Sequence, residues 1–234
     1  MPDRVIGIIG GMGPEATVDF YREIIRLTPA QKDQDHIPVL IYSNPRVPER
    51  TRAILHGGED PTPFLIEAAQ ILERGGAGIL AMPCNTAHYF LPRVRPAVQI
   101  PILDMIEETF LRAKAQIADM KAVGLLATTG TVESGVYRDV FARHGVSILT
   151  PAAAEQDRIQ QVIRQIKSDT YDRTRQDTLE SVGSTLIGAG AQAVILGCTE
   201  IPLAFNVARV NYPVINATRV LAQAAVDWAL GKCE

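Results

Sequence analysis

The sequence is short of cysteine, histidine and long apolar segments. Its 234 residues include 3 cysteines and 4 histidines. An odd and low cysteine count argues against a disulfide framework and favours a reducing, cytoplasmic setting. No apolar run approaches the ~20 residues that a membrane-spanning helix needs, and the first residues lack the pattern of a signal peptide. We therefore expect a cytoplasmic protein with no membrane partner.

An excess of charge of one sign is also missing. The net charge is −3, and no long block of lysine and arginine occurs. Nucleic acid and anionic membranes are therefore not expected as partners. A hydrophobic content of 47% with 21% charged residues is typical of a globular protein with a sizeable core. The length suits one large domain or two small ones.

Metal-binding motifs are absent from the sequence as well. A zinc site uses three or four Cys or His ligands, and neither a Cys-x-x-Cys motif nor a histidine pair at ligand spacing occurs. His88 lies four residues after Cys84 and could act as the base of a Cys–His hydrolase. Such a hydrolase would leave Cys198 without a role, so we favour His88 as a polar helix residue near the site. The missing vicinal cysteine pair also argues against thiol–disulfide chemistry.

What the sequence does contain is an alternation of apolar strands and amphipathic helices. This alternation, with no linker or low-complexity segment, predicts an α/β fold with parallel sheets. Strands are predicted at residues 5–10, 38–43, 78–81, 100–104, 122–127, 146–151, 193–197 and 210–215, and helices at 14–27, 62–74, 107–120, 155–166, 174–187 and 217–230. Cys84 follows Gly7 by almost the same number of residues as Cys198 follows Gly124, which indicates an internal duplication.

Two cysteines occupy matching positions in the two halves of this pattern. Cys84 and Cys198 each follow a short apolar strand and precede a polar turn. Open α/β sheets bind ligands at the carboxyl ends of their strands, and a helix N-terminus there stabilises a thiolate. Two thiols on opposite sides of one carbon could remove a proton from one face and deliver one to the other. Asn85, Thr86 and Thr199 would then donate hydrogen bonds to an α-carboxylate.

Two loops could bind anionic groups. Gly11-x-Gly13-x-x-Ala16 formally matches a dinucleotide fingerprint, but the next strand lacks the acidic residue that holds a ribose. A nicotinamide-dependent oxidoreductase is therefore a minor alternative, and NAD is not expected. Residues 44–52 contain three arginines, any of which could bind a substrate carboxylate in a bidentate manner. The spacing of these arginines does not show which of them binds the carboxylate.

Several runs together resemble the cofactor-independent aspartate/glutamate racemases, and most closely the aspartate racemases. They are residues 7–14 (GIIGGMGP), 48–51 (PERT), 82–88 (MPCNTAH) and 197–200 (GCTE), with 125–131 and 155–156 also fitting. The resemblance covers essentially the whole chain. It implies two pseudo-symmetric α/β domains, each with a mainly parallel four-stranded sheet, and a site in the cleft between them. The first domain would comprise residues 1–103 with 208–234, the second residues 104–207, and the protein would be a homodimer.

The resemblance also implies roles for individual residues. Cys84 and Cys198 match the two acid/base cysteines of the family. Arg50 and Lys167 match an arginine and a lysine near the substrate's side-chain carboxylate. The remaining substrate contacts implied by the resemblance are Met12, Asn85, Thr86 and Thr199. Cys233 matches nothing in the family pattern.

The expected reaction is the racemisation of L-aspartate to D-aspartate with neither a cofactor nor a metal. Alternatives are a glutamate or broad-specificity racemase, a maleate-isomerase-like or decarboxylase reaction, and a non-catalytic amino-acid-binding protein of the same fold. Glu200, two residues after Cys198, would disfavour a thiolate there if it were close. The sequence offers no explanation for that carboxylate.

Overall fold

The first half of the chain forms a small parallel sheet. The structure, a computed structural model, describes residues 4–170 and 177–232. Strands β1 (Ile6–Gly10), β2 (Val39–Ser43) and β3 (Ile79–Ala81) pair in the order β2-β1-β3. A fourth strand was expected at residues 100–104. That segment makes a single parallel bridge, between Leu80 and Ile102, so it extends the sheet edge by one residue pair only.

Helices cover both faces of this first sheet. They are α1 (Pro14–Leu27), α2 (Arg50–Leu55), α3 (Thr62–Arg74) and the short α4 (Leu91–Val94). Helix α1 begins with Pro14, whose missing N–H costs nothing there, and Glu15 lies near the positive end of the helix dipole. Every residue of β1 is buried. This explains why β1 is an unbroken apolar run rather than an alternating one.

The second half forms a four-stranded parallel sheet, as predicted. Strands β4 (Ala122–Ala127), β5 (Ser147–Leu149), β6 (Val194–Gly197) and β7 (Val214–Asn216) pair in the order β5-β4-β6-β7. The helices are α5 (Met105–Gln116), α6 (Thr129–Glu133), α7 (Val136–Ala142), α8 (Ala153–Lys167) and α9 (Asp177–Gly188). Residues 174–176 of the predicted 174–187 helix, and Cys233, lie outside the described residues.

The last helix returns to the first sheet. Helix α10 (Ala217–Ala229) packs Leu221 and Ala225 in one cluster with Ile6 and Ile8 of β1. The close approach requires a glycine, since a Cβ on Gly78 would lie 2.7 Å from the Trp228 ring. Thus the chain changes halves at Asn216, whose side chain accepts a hydrogen bond from the Arg219 N–H and caps the helix.

The division into domains 1–103 with 208–234 and 104–207 is a proposal. Helix α10 packs as that division requires, but β7, which lies in the range 208–234, pairs with β6 of the second sheet. Among the described residues, no helix has the length and apolar character needed to cross a membrane.

Candidate active site

The two cysteines stand at equivalent ends of strands in the two sheets. Cys84 comes three residues after β3 ends at Ala81, and Cys198 directly follows β6. Strand β3 neighbours the central strand β1, and β6 neighbours β4. Both thiols are buried and free of disulfides, and both line the same small cavity between the two halves. The structure therefore places the two sulfur-bearing side chains at one site.

All eight residues predicted for the site line this cavity. They are Met12, Arg50, Cys84, Asn85, Thr86, Lys167, Cys198 and Thr199. The lining is completed by Glu49, Thr51, Thr128 and Glu200. Arg46 and Arg52 do not belong to the described lining, so the structure separates Arg50 from the two arginines that spacing could not rank.

Cys198 is joined to a carboxylate and, through it, to an ammonium group. Its Sγ–H donates to Glu200 Oε2 across 3.0 Å, and Glu200 Oε1 lies 3.4 Å from Lys167 Nζ. Burial and the adjacent Glu200 carboxylate raise the pKa of Cys198 well above its ordinary value. Burial alone would lower the pKa of Lys167, but the nearby negative charges of Glu200 and of the Cys198 and Cys84 thiolates together outweigh burial and raise that pKa. Cys198 is therefore held as a thiol.

His88 supports the Cys84 backbone rather than the chemistry. The Met105 N–H donates to its Nε2 across 3.0 Å, so the proton is on Nδ1, which donates to the Cys84 carbonyl across 2.9 Å. Burial lowers the pKa of His88 and keeps the ring neutral. His88 is not part of the cavity lining in the described chain. This arrangement does not suit the base of a Cys–His hydrolase.

Asn85 is oriented by a residue that the sequence analysis missed. The hydroxyl of Tyr137, on α7 of the other half, donates to Asn85 Oδ1 across 2.6 Å. The amide nitrogen Nδ2 is buried and has no partner among the described residues. Since burial raises the pKa of Tyr137, the phenol stays protonated and remains a donor. The amide therefore keeps its N–H groups available to a ligand.

Three threonine hydroxyls connect the two halves. Thr86 Oγ1 lies 2.9 Å from Thr128 Oγ1 and 2.8 Å from Thr131 Oγ1, and the latter two are 2.9 Å apart. Thr128 also caps α6 by accepting from the Thr131 N–H. The sequence analysis did not predict Thr128 and Thr131 as partners of Thr86, because a threonine after a strand is typical of a helix cap.

Arg50 is fixed by backbone carbonyls and keeps part of its guanidinium free. Its NH1 donates to the carbonyls of Val47 and Pro48, each across 3.0 Å. The buried Nε has no partner within the described residues. Glu49 caps α2 by accepting from the N–H groups of Thr51 and Arg52. The guanidinium is therefore positioned at a helix start, with an N–H left for an anion.

The cleft is closed around this site. The cavity has about 20 Å³ of room for the centre of a water molecule, which corresponds to about one water. Helices α2 and α6 touch beside this cavity: a Cβ added at Gly130 would lie 2.6 Å from Thr51 Oγ1, and Thr51 belongs to the lining. An amino acid is much larger than one water molecule, so its entry requires the residues around the cavity to move apart.

Comparison with known proteins identifies the family. The model of the Asp/Glu/hydantoin racemase family matches residues 9–225. The chain belongs to this family. It is therefore an amino-acid racemase, an isomerase whose two-sheet α/β fold agrees with the fold expected from the sequence. A group of three or more His, Cys, Asp or Glu side chains suited to a metal ion is not found among residues 4–170 and 177–232.

Individual relatives of this racemase differ in the substrates that their names state. The chain is 28% identical to the broad-specificity amino-acid racemase RacX of Bacillus subtilis, over 95% of this chain and 97% of that one. An aspartate racemase structure from Picrophilus torridus superposes with a TM-score of 0.86 at 32% identity, covering 97% and 94% of the two chains. A glutamate racemase from Bacillus anthracis shares the fold, with a TM-score of 0.68 at 18% identity, over 97% of this chain and 81% of that one.

Proposed function

We propose that this racemase interconverts L-aspartate and D-aspartate by a two-base mechanism in which Cys84 and Cys198 exchange protons with the α-carbon. The observation that supports this proposal best is the placement of the two thiols. They come from equivalent strand ends of opposite halves and line one cavity. A reaction whose substrate and product are mirror images needs a proton-transfer group on each face of the reacting carbon.

In this mechanism one cysteine acts as a thiolate and removes the α-proton, while the other, a thiol, delivers a proton to the opposite face. The developing negative charge spreads into the α-carboxylate and must be stabilised there. The free Nδ2 of Asn85 is a buried donor suited to this task. The cavity wall also holds Thr86 and Thr199, which we propose as further substrate contacts together with Met12.

Preference for an acidic substrate would come from the two cations of the cavity. Arg50 keeps an unpartnered Nε, and Lys167 lies at the end of α8 near Cys198. We propose that both contact the second carboxylate of aspartate. The similarity to the aspartate racemase of Picrophilus torridus, at 32% identity, supports this assignment.

A broader substrate range is the alternative that a specific observation favours. Lys167 is paired with Glu200, so one of the two cations already has an anionic partner inside the cavity. Such a pair would reduce the advantage of a second substrate carboxylate. The 28% identity to the broad-specificity racemase of Bacillus subtilis points in the same direction. Glutamate is a further candidate within the same fold.

The test is α-proton exchange in D2O with chiral product analysis. We expect deuterium at the α-carbon of the product enantiomer without added pyridoxal phosphate or metal. Cys84→Ala and Cys198→Ala should each lower racemisation by orders of magnitude, because each removes one of the two proton-transfer groups. Normal turnover in the double variant would contradict the two-base mechanism.

Two further measurements separate the alternatives. A panel of aspartate, glutamate and neutral amino acids, analysed by chiral chromatography, distinguishes an aspartate racemase from a broad-specificity one. Calorimetric binding of aspartate with no α-proton exchange would instead indicate a non-catalytic binding protein. The expected homodimer remains a prediction, and sedimentation analysis of the purified protein would test it.

A further inference from the structure

A second cavity lies within the second half of the molecule. Its lining residues come from β4, α6, α7 and the β5 edge strand, between Leu125 and Thr150 in the chain, and we call it the α7 cavity. It has about 200 Å³ of room for the centres of water molecules, against about 20 Å³ in the active-site cavity. The α7 cavity therefore has space for a small organic molecule where the closed active site holds about one water.

We propose that the α7 cavity binds a free amino acid with an apolar side chain, and that this ligand strengthens the binding of aspartate in the active site. The first part of this inference concerns a site that shares no described lining residue with the active-site cavity. The second part rests on the proposed function, because it takes aspartate as the substrate.

Two opposite charges at the α7 cavity match the two charged groups of an amino acid. Glu133 ends α6 and Arg138 lies in α7, and the turn between them passes through Gly135 with φ 74°. Glu133 makes no ion pair with another described residue, and Arg138 is joined to Asp139 only through an exposed contact of 3.4 Å. Such exposed pairs are weak. The carboxylate can therefore accept from an ammonium group, and the guanidinium can donate to a carboxylate in a bidentate manner.

The walls of the α7 cavity are apolar, which selects the side chain of the ligand. Leu125, Val132 and Ile148 line it, and they belong to one apolar cluster of the second half. An aliphatic side chain gains free energy when it leaves water for such a wall, whereas a second carboxylate would lose its hydration there. The active-site cavity differs in this respect, because Arg50 and Lys167 line it.

Two residues of the α7 cavity also contact the active site. The Tyr137 hydroxyl donates to Asn85 Oδ1 across 2.6 Å, and Thr131 Oγ1 lies 2.8 Å from Thr86 Oγ1. Tyr137 and Thr131 line the α7 cavity, whereas Asn85 and Thr86 line the active-site cavity. Each pair thus joins the two cavities through one hydrogen bond between opposite halves.

The direction of the coupling follows from the open space beside the Tyr137 ring. The ring must move before its hydroxyl can leave Asn85, and the α7 cavity is space into which it can move. A ligand in that space keeps the ring in place and so keeps Asn85 Nδ2 turned toward the active-site cavity. The ligand should therefore raise the affinity for aspartate, and aspartate must raise the affinity for the ligand by the same factor.

The first experiment measures binding to the α7 cavity by calorimetry, with L-leucine as the probe and with saturating aspartate in the active site. We expect one L-leucine per chain. 4-Methylpentanoate lacks the ammonium group and 3-methylbutylamine lacks the carboxylate, so each should bind at least roughly ten-fold more weakly. Arg138→Gln and Glu133→Gln should each weaken L-leucine binding by a similar factor. Arg143→Gln is the matched control, since this exposed arginine directly follows α7 and pairs with Glu107 outside the lining.

The second experiment measures the coupling. Saturating L-leucine should lower the Kd and the KM for aspartate roughly three- to ten-fold, the usual range of coupling between two sites. Tyr137→Phe should still bind L-leucine, but the coupling factor should fall toward one because the bond to Asn85 is lost. Competition at the active site would instead raise the KM for aspartate.

Three results would overturn the proposal. They are an absence of L-leucine binding, an unchanged affinity for L-leucine in both Arg138→Gln and Glu133→Gln, and an aspartate Kd that L-leucine leaves constant or raises. All three are binding measurements. A wild-type protein that binds aspartate without exchanging its α-proton would reject the proposed function and leave them standing, so the two failures are distinguishable.

Discussion

Tyr137 and Asn85 meet across the cleft in a 2.6 Å hydrogen bond, with the phenol as donor and the amide oxygen as acceptor. The two residues belong to different halves of the molecule, and both are buried. The bond fixes which end of the amide faces the cavity, since it occupies Oδ1 and leaves Nδ2 unpartnered among the described residues. The orientation of this amide thus depends on a side chain from the opposite half of the molecule.

We expect Tyr137→Phe to raise KM roughly ten-fold with a smaller effect on kcat, because the amide is no longer held in one orientation. The loss of one buried hydrogen bond should also lower the free energy of unfolding by about 1–2 kcal/mol. Steady-state kinetics and urea denaturation measure the two effects. Tyr212→Phe is the matched control: its hydroxyl donates to the Glu180 carbonyl, away from the cavity, so KM should not change.

Closure of the cleft is tested at Gly130. In Gly130→Ala the new Cβ would lie 2.6 Å from Thr51 Oγ1 and 2.9 Å from its Cα, so α6 and α2 could not meet as they do. We expect kcat to fall ten-fold or more while stability holds, because alanine favours a helix over glycine by about 1 kcal/mol. Gly188→Ala, where an added Cβ meets nothing within 4 Å, should leave kcat unchanged. Equal kcat in both variants would contradict the closure model.

Arg50 should determine the preference for a second carboxylate. Arg50→Ala should lower kcat/KM for aspartate by roughly 10- to 100-fold, the value of a charged hydrogen bond of about 1.5–3 kcal/mol, and change alanine turnover little. Arg46→Ala, an exposed arginine of the same loop outside the cavity lining, is the control. An equal loss on aspartate and alanine would assign Arg50 a purely structural role.

The buried His88 makes stability depend on pH. Burial lowers its pKa below the ordinary value of 6.5, so the unfolded chain binds a proton that the folded chain does not. The free energy of unfolding should therefore fall as pH drops below 6.5, by at most about 1.4 kcal/mol per pH unit for this one group. Urea denaturation across this range should show a flatter profile in His88→Gln. The exposed His56 is the control, and His56→Gln should keep the wild-type slope.

The sequence was sufficient to predict the fold class and the position of the cavity, for a physical reason. Parallel strands share one carboxyl edge, so residues that follow separate strands converge there without any knowledge of packing. This rule predicts the positions of Cys84 and Cys198, each of which follows the end of a strand. Arg50 and Lys167 were singled out by resemblance alone, and the structure brings both to the cavity. Their roles, like those of the cysteines, await the experiments above.

Contacts that cross between the halves could not be predicted. Tyr137 lies in α7 and is fully buried, so its sequence pattern is that of a core residue, and only the tertiary fold brings its hydroxyl to Asn85. The sequence correctly predicted that Glu200 would disfavour a thiolate at Cys198, since Glu200 raises the pKa of that thiol. The ion pair between Glu200 and Lys167 could not be predicted, because Lys167 approaches from another helix. The prediction of a fourth strand in the first sheet was wrong, because residues 100–104 make one bridge rather than a strand.

The chain passes between its two sheets twice, before α5 and again before α10, and each passage is fixed by a helix cap. Asp104 accepts from the N–H groups of Ile106 and Glu107, and Asn216 accepts from that of Arg219. A rigid-body movement of one half against the other would have to bend the chain at these two connections. Because Cys84 and Cys198 come from opposite halves, any bending at these connections changes the distance between the two sulfur atoms.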